Sequence, residues 1–233
     1  METIVIASNN NHKVKEFKEI LKGYNIITLK EIEYYDDIEE TGKTFEENAL
    51  IKANTIHNFL INKGIDYMVV ADDTGLCVNA LNGAPGIYSA RYAGEHGNSA
   101  ANRDKLLKEL EGKEREAYFI CTIAVVYPNG EHKIFTGKTY GTISKEEIGS
   151  KEFGYDYIFI SKDLNKTFGE ASKEEKNSVS HRGRAIKEML KGISCTKWSL
   201  TFRINSKNSG LENQSTIFEF YLTAILFAAV HAE

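Results

Sequence analysis

Four short stretches of the sequence carry polar side chains that could do chemistry, and all but one lie where a strand ends or a helix begins. The first is the turn Ser8–Asn11, which follows the apolar residues 3–7 and precedes a helical pattern. A helix N-terminus offers free backbone N–H groups and a partial positive charge, and both favour phosphate. Lys13 would add a point charge in the first helical turn, and Glu16 follows one turn later. The alternative is an ordinary helix capped by asparagine.

The second stretch is Asp72-Asp73-Thr74, which follows the apolar run "YMVVA". Two carboxylates at the end of a buried strand are costly to desolvate unless a metal ion, a cation or hydrogen bonds compensate, which favours a role in Mg²⁺ binding or as a general base. Adjacent strand residues point to opposite faces, so we expect one aspartate to face a pocket and the other to be structural. The alternative is an aspartate that only caps a turn.

The third stretch, residues 39–42, places Glu39 and Glu40 just before the second helical pattern. Mg²⁺ prefers oxygen ligands and is usually held by one or two carboxylates together with substrate phosphates. Glu40 is therefore a candidate metal ligand, whereas the alternative is a solvated acidic stretch with no ligand.

The fourth feature combines "EFGYDYIFI" with "EEKNSVSHRGRAIKEM" farther along the chain. The first segment offers flat aromatic faces and a glycine that permits close approach, and the second offers donors and positive charge. An aromatic face with nearby donors is what a nucleobase needs. The alternative is a core strand followed by a basic helix start. The residues concerned are Phe153, Gly154, Tyr155, Lys176, His181 and Arg182.

Hydrophobic periodicity predicts the elements that must position these residues. Residues 3–7 indicate a strand, and the helical pattern after the turn ends near Gly23. Thr44 and Glu47 form a T-x-x-E pair, which predicts a capping box at the start of a helix that ends at Gly64. The first half of the chain therefore begins with strand, turn and helix.

The second half is richer in strands. The run "YMVVADD" predicts a buried strand that ends at the aspartates, with a long glycine-rich loop after it. Residues 99–111 look helical, the turn at 128–130 predicts a hairpin, and a last helical pattern closes at Gly192. Strands that alternate with helices early and a hairpin late predict an α/β fold with a mixed sheet.

The bulk composition excludes several classes of protein. The chain has 233 residues and a formal net charge of -4, which argues against a broad basic surface that binds nucleic acid polymers. Cys77, Cys121 and Cys195 show no C-x-x-C spacing, so we expect buried thiols rather than disulfides or a zinc site. The N-terminal residues lack the pattern of a signal peptide, and we expect a cytoplasmic protein without a membrane partner.

The character of the chain changes at Lys197, so the expected domains are 1–196 and an atypical tail, 197–233. The first part of this tail is polar, and the 16 residues 217–232 are almost wholly apolar. That run is short for a membrane span and contains Glu219. An extra packed helix or dimer contact, a non-native end and a membrane-associating end all remain open.

Together, these stretches resemble the inosine triphosphate pyrophosphatase family, also called the Ham1-like or noncanonical purine NTP pyrophosphatases. The [ST]-x-N-x-x-K-x-x-E signature is present as Ser8, Asn10, Lys13 and Glu16. Five more blocks follow in order: "EETGKTFEENALIKA", "ADDTGL", "LNGAPGIYSARYAG", "FGYDYIF" and "EEKNSVSHRG". The match covers residues 3–192, and six ordered blocks are far more specific than any one of them.

The resemblance implies an elongated, two-lobed α/β fold with a cleft between the lobes, assembled as a homodimer. It implies hydrolysis of ITP, dITP or XTP to the nucleoside monophosphate and pyrophosphate with Mg²⁺, which removes deaminated purines from the nucleotide pool. Asp73 is implied as the proton acceptor, with Lys13 and Glu16 beside it in the catalytic set, and Glu40 and Asp73 as metal ligands. The implied substrate-binding residues are Ser8, Asn9, Asn10, Asn11, His12, Lys13, Thr74, Phe153, Gly154, Tyr155, Asp156, Lys176, His181 and Arg182.

Base selection can be argued from chemistry. Inosine and xanthosine carry a keto oxygen at the purine 6-position where adenine has an amino group, so donors such as His181 and Arg182 would favour them. Nothing in the sequence shows how guanine is excluded. Two rivals stay open: a non-hydrolytic nucleotide-binding module, and a Maf-like pyrophosphatase that acts on modified nucleotides. Glu40 and Asp73 argue against the first, and the "FGYDYIF" and "SHRG" blocks argue against the second.

Overall fold

The computed structural model describes residues 2–150 and 154–193. Contacts divide the chain into a unit Met1–Leu190 and a second unit Lys191–Glu233, of which only 191–193 are described. The expectations for Phe153, Cys195 and the tail 197–233 therefore lie outside the described residues.

Within residues 2–150 and 154–193, seven strands and five helices position the candidate site. The strands are β1 (Thr3–Ile6), β2 (Asn25–Thr28), β3 (Met68–Val78), β4 (Glu116–Val126), β5 (His132–Ile143), β6 (Phe159–Ser161) and β7 (Lys166–Thr167). The helices are α1 (Asn11–Ile20), α2 (Phe45–Asn62), α3 (Ser99–Glu109), α4 (Lys173–Val179) and α5 (181–193). Two short 3-10 turns, Asn79–Leu81 and Gly86–Arg91, follow β3.

The strands form one mixed sheet in the order β2-β1-β3-β4-β5-β6-β7. The pairs β2-β1 and β1-β3 are parallel, and every later pair is antiparallel. The predicted hairpin is confirmed, since Gly130 N–H donates to the Tyr127 carbonyl across 2.9 Å and Gly130 has a φ of 82°, which favours glycine. This arrangement confirms the predicted α/β fold with a mixed sheet.

The prediction that the third strand ends at the aspartates is wrong. β3 stops pairing with β1 at Val70 but continues to Val78 beside β4, with Asp72 opposite Ile123 and Asp73 opposite Thr122. The continuation is stable because Leu76 and Val78 are fully buried in the core. The aspartates therefore lie in the middle of a long strand, just past the carboxyl end of β1.

Two hydrophobic clusters pack against opposite halves of β3 and β4. The first joins β1 and α2 to the N-terminal half of β3, and includes Val5, Ile56, Val69 and Ala124. The second joins α3 and β6 to its C-terminal half, and includes Leu76, Leu106, Phe119 and Phe159. The charged centre of β3 lies between the two clusters.

Side-chain caps fix where the first two helices begin. Asn10 caps α1, because its side-chain oxygen accepts from the backbone N–H groups of His12 (3.0 Å) and Lys13 (3.2 Å). Thr44 caps α2 as predicted, but the reciprocal bond of the capping box is displaced. The Glu47 carboxylate accepts from the backbone N–H of Lys43 at 2.5 Å, one residue before the cap.

Two further expectations concern membranes and thiols. Over residues 2–150 and 154–193, no helix has the length and apolar character that a membrane crossing requires. Cys77 and Cys121 are free and buried, as expected for unpaired thiols.

Candidate active site

A cleft of about 1130 Å³ lies beside the middle of β3. It is lined by these residues of the predicted site: Ser8, Asn9, Asn10, His12, Lys13, Glu40, Asp73, Thr74, Gly154, Tyr155, Asp156, Lys176, His181 and Arg182. Asn11, Glu16 and Asp72 do not line it, and Phe153 lies outside the described residues. The chain thus brings together residues that are up to 174 positions apart, from Ser8 to Arg182.

The asparagine turn presents the N-terminus of α1 to the cleft. Ser8 Oγ accepts from the backbone N–H of Asn10 across 3.2 Å, and Asn10 in turn caps the helix. Asn10 is therefore first a structural cap, as the alternative reading of the sequence held. The two readings are compatible, because a capped helix start still offers its positive end and Lys13 to an anion.

Asp72 is the buried centre of an ionic network under the cleft. Its Oδ2 lies 3.0 Å from Lys13 Nζ and 3.2 Å from an Arg182 nitrogen, and it accepts from the Thr74 hydroxyl at 2.7 Å. Burial acts to raise the pKa of Asp72, but Lys13 and Arg182 outweigh it and hold that pKa well below its usual value. Asp72 is therefore the structural member of the aspartate pair.

Arg182 joins Asp72 to Glu16 on α1. One guanidinium nitrogen bonds the Glu16 carboxylate and the other contacts Asp72, and the side chain is only 3% exposed. Glu16 also lies 3.9 Å from Lys176 Nζ. The guanidinium of Arg182 thus links α5 to α1 and β3. The sequence did not reveal these contacts. Its Nε atom has no hydrogen-bond partner among the described residues.

Asp73 lines the cleft and points to the opposite face of β3, toward α2. Its Oδ2 accepts from the Asn48 amide at 3.2 Å, and its Oδ1 lies 3.8 Å from Lys52 Nζ. Lys52 also contacts Glu40 Oε1 at 2.7 Å, so that both candidate metal ligands approach one ammonium group. Burial raises the pKa of Asp73 above its usual value although Lys52 opposes the shift.

A second set of contacts fixes the segment 154–157, in which the base pocket is predicted. Lys176 Nζ contacts the buried Asp156 carboxylate at 2.6 Å, and Tyr155 OH donates to the Ser89 carbonyl at 2.9 Å. Arg103 on α3 donates to the Gly154 carbonyl at 2.8 Å. These contacts hold the segment from three sides, and burial raises the pKa of Asp156 against the effect of Lys176.

His181 forms the floor of this part of the cleft. Its ring stacks on Phe119 with centroids 4.7 Å apart and an interplanar angle of 16°. Burial, followed by the nearby charges of Arg182 and Lys176, lowers the pKa of His181 well below its usual value. The neutral ring leaves Nδ1 without a hydrogen-bond partner among the described residues, so this atom is available to a ligand.

The buried neutral state of His181 predicts a pH effect on stability. The unfolded chain binds a proton at His181 below pH of about 6.5, whereas the folded chain does not, so stability falls as the pH drops below that value. The variant His181→Phe keeps an aromatic ring but cannot bind a proton. We expect it to reduce the slope of the free energy of unfolding against pH by up to about 1.4 kcal/mol per pH unit, between pH of about 6.5 and 5. Urea unfolding at several pH values measures it. His132→Phe, at an exposed histidine, is the control, and an unchanged slope in His181→Phe contradicts the neutral state.

Sequence reasoning did not single out several residues that the structure places in the cleft. Lys52 is 8% exposed on the same side of α2 as the buried Ala49, Ala53 and Ile56. A lysine on an apolar helix face is a signal of a buried ion pair, and it could have been found from the pattern. Arg91 and Arg103 also line the cleft but lie in segments whose patterns do not distinguish them from surface residues.

Comparisons with known proteins agree with this fold. A sequence profile of the Ham1 family matches residues 4–192. The dITP/XTP pyrophosphatase of Clostridium perfringens is 53% identical over 202 residues, which covers 83% of this chain and 99% of that protein. The dITP/XTP pyrophosphatase of Bacillus subtilis is 48% identical over 196 residues, which covers 82% of this chain and 96% of that protein.

Solved structures give the same result. The Staphylococcus aureus Ham1 protein superposes with a TM-score of 0.75 at 44% identity and covers 84% of this chain and 100% of its own. A HAM1 protein from Coxiella burnetii gives a TM-score of 0.74 at 38% identity, covering 83% of this chain and 99% of its own. The mixed sheet and its charged cleft therefore define a Ham1-type α/β protein. The chain belongs to the Ham1 family.

Proposed function

We propose that this protein hydrolyses the triphosphates of deaminated purine nucleosides, namely ITP, dITP and XTP, to the nucleoside monophosphate and pyrophosphate. The relatives named dITP/XTP pyrophosphatase support the reaction and the substrate class. The single observation in the structure that carries the proposal is the meeting, in one cleft, of the α1 N-terminus with Lys13 and of Asp73 with Glu40. The first pair suits phosphate oxygens, and the second suits water and a cation.

The residues of the cleft have separate tasks in this reaction. The N-terminus of α1 and Lys13 would bind phosphate oxygens and stabilise the leaving pyrophosphate. Asp73 would orient the attacking water and take its proton as the bond between the α- and β-phosphates breaks. Burial raises the pKa of Asp73 and so strengthens it as a base, whereas a bound Mg²⁺ would act in the opposite direction. Asn48 and Lys52 hold its carboxylate in place.

The donor set fits Mg²⁺. The described residues contain no group of three or more His, Cys, Asp or Glu side chains that could hold a metal ion. Glu40 and Asp73 nevertheless converge on one cationic group, Lys52 Nζ, and two carboxylates suffice for Mg²⁺ when substrate phosphates supply further oxygens. Bound there, Mg²⁺ would lower the pKa of water and neutralise phosphate charge.

The base would lie against the segment 154–157 and the floor formed by His181. His181 Nδ1 is buried and has no partner among the described residues, which supports a direct bond to the base. Arg182 is a weaker candidate for that bond than the sequence suggested, because Glu16 and Asp72 already occupy its two terminal nitrogens.

A substrate panel separates this proposal from its rivals. With Mg²⁺, we expect kcat/KM for ITP, dITP and XTP to exceed that for ATP and GTP by at least tenfold, the factor given by about 1.4 kcal/mol of discrimination. Binding without turnover would instead identify a non-hydrolytic module. A preference for modified pyrimidines or 7-methyl-GTP would identify a Maf-like activity.

By the same family resemblance we propose a homodimer in the cytoplasm, and light scattering coupled to gel filtration tests the dimer.

Truncation after residue 196 tests the expected domain boundary. The family profile ends at residue 192, and the described residues that line the cleft lie between Ala7 and Arg182. We therefore expect a chain of residues 1–196 to keep kcat/KM for ITP within about twofold of the full chain, a difference of about 0.4 kcal/mol. Circular dichroism is the control for folding. Loss of turnover in a folded truncated chain would contradict the boundary.

A further inference from the structure

Five of the cationic side chains that line the cleft already have a carboxylate partner. Lys13 contacts Asp72, Lys176 contacts Asp156, and Lys52 contacts Glu40. The remaining two are arginines, which pair with carboxylates in the same way. Since these charges are offset within the protein, a bound triphosphate competes with the carboxylates for them. An unpaired cation in the cleft is therefore of special interest.

Arg91 is such a cation. Its side chain lines the cleft and makes neither an ion pair nor a hydrogen bond with any residue in 2–150 or 154–193. Its guanidinium carbon lies 5.2 Å from the centre of the Tyr88 ring. A cation–π contact of this kind does not use up the N–H groups of the guanidinium, which therefore stay available for phosphate oxygens.

The backbone around Arg91 is anchored on both sides. The buried Asn102 donates to the Ser89 carbonyl at 3.3 Å and accepts from the backbone N–H of Ala93 at 2.7 Å. Ser89 Oγ also accepts from the backbone N–H of Leu76 on β3 at 2.9 Å. Arg91 thus projects from a fixed segment, and a preorganised side chain loses less entropy when it binds a ligand.

The anchored segment lies on the same face of β3 as Asp73. Residues two apart on a strand share a face, so Gly75 and Asp73 point the same way. The Gly86 carbonyl packs so closely on Gly75 that a Cβ there would lie 2.3 Å from it, and the Ser89 Oγ would lie 2.8 Å away. The turn that carries Arg91 is therefore on the reacting side of the cleft, whereas Asp72 and Thr74 face Arg182 on the other side.

We propose that Arg91 binds phosphate oxygens of the triphosphate and remains bound to the pyrophosphate product, with Tyr88 holding its guanidinium in place. This inference rests on the proposed function for the identity of the substrate. A hydrogen bond to a charged group typically changes affinity by about tenfold or more. Replacing Arg91 should therefore weaken binding of the pyrophosphate part of the ligand and leave binding of the nucleoside part unchanged.

Calorimetric binding of two probes in Mg²⁺ tests the proposal: inorganic pyrophosphate and inosine monophosphate. We expect Arg91→Ala to weaken pyrophosphate binding about tenfold or more and to leave monophosphate binding within about twofold. Arg91→Lys keeps the charge but loses the planar guanidinium with its paired N–H donors, so its loss of pyrophosphate affinity should be intermediate. Tyr88→Leu should give a smaller loss than Arg91→Ala. Arg184→Ala removes an exposed arginine paired with Asp163 and is the control for charge.

Two outcomes would overturn the proposal. One is pyrophosphate binding by Arg91→Ala within twofold of the unsubstituted protein. The other is an equal loss for both probes, which would assign Arg91 a structural role in the cleft, and circular dichroism of Arg91→Ala shows whether that variant is folded. The two probes bind without turnover, so this experiment does not depend on hydrolysis. A failure of the proposed hydrolysis is detected separately, as the absence of product when the unsubstituted protein is incubated with ITP.

Discussion

Asp73→Asn should lower kcat for ITP by about 10²- to 10⁴-fold, the range associated with loss of a general base. Asparagine has nearly the same shape, and the neighbouring Asn48 and Lys52 remain in place, so the fold should change little. What is lost is the negative charge that accepts the proton and that, with Glu40, suits Mg²⁺. Steady-state rates of pyrophosphate release measure the effect.

Asp66→Asn is the matched control, since Asp66 is an exposed aspartate shortly before β3. We expect its kcat to stay within about twofold of the unsubstituted protein, because surface substitutions away from special features have small effects. Urea unfolding separates catalysis from folding in both variants. A folded Asp73→Asn protein with nearly full kcat would remove Asp73 from the reaction and leave the assignment of the two aspartates open.

Arg182→Met should cause the largest loss of stability, about 3–5 kcal/mol, because it leaves Asp72 and Glu16 with fewer partners in a buried network. The Asp72 carboxylate is fully buried, so the solvent does not replace the lost contact. Lys13 remains 3.0 Å from Asp72 and limits the loss. Urea unfolding at neutral pH gives the free energy of unfolding.

Arg184→Met is the control, since its pair with Asp163 is more than one-third exposed and such pairs contribute about 0–1 kcal/mol. A double variant, Asp72→Asn with Arg182→Met, removes both charges of one buried pair. We expect it to be more stable than the sum of the single losses predicts, because the buried Asp72 carboxylate is no longer present to lack the guanidinium of Arg182. Equal losses for Arg182→Met and Arg184→Met would show that the network does not stabilise the fold.

The sequence alone predicts those features of the site that depend on the local order of residues along the chain. The turn before α1, the capped start of α2 at Thr44 and the opposite orientation of Asp72 and Asp73 follow from local rules, namely helix capping and the alternation of strand residues. The mixed sheet follows from the order of its elements. These features depend on neighbours within a few residues.

The parts that the sequence did not reveal depend on partners far away. The pairing of Arg182 with Glu16 joins residues 166 positions apart, and only the tertiary fold brings them together. The extension of β3 to Val78 depends on ten paired positions with β4, which outweigh the glycine and turn residues that suggested a loop. Tertiary contacts decided both cases.

Product analysis tests the central claim most directly. The protein is incubated with ITP and Mg²⁺, and inosine monophosphate, pyrophosphate and orthophosphate are quantified over the first turnovers. If the cleft cuts between the α- and β-phosphates, monophosphate and pyrophosphate form in equal amounts, without orthophosphate, and Asp73→Asn slows both alike. Inosine diphosphate with orthophosphate, or no hydrolysis at all, would contradict the account.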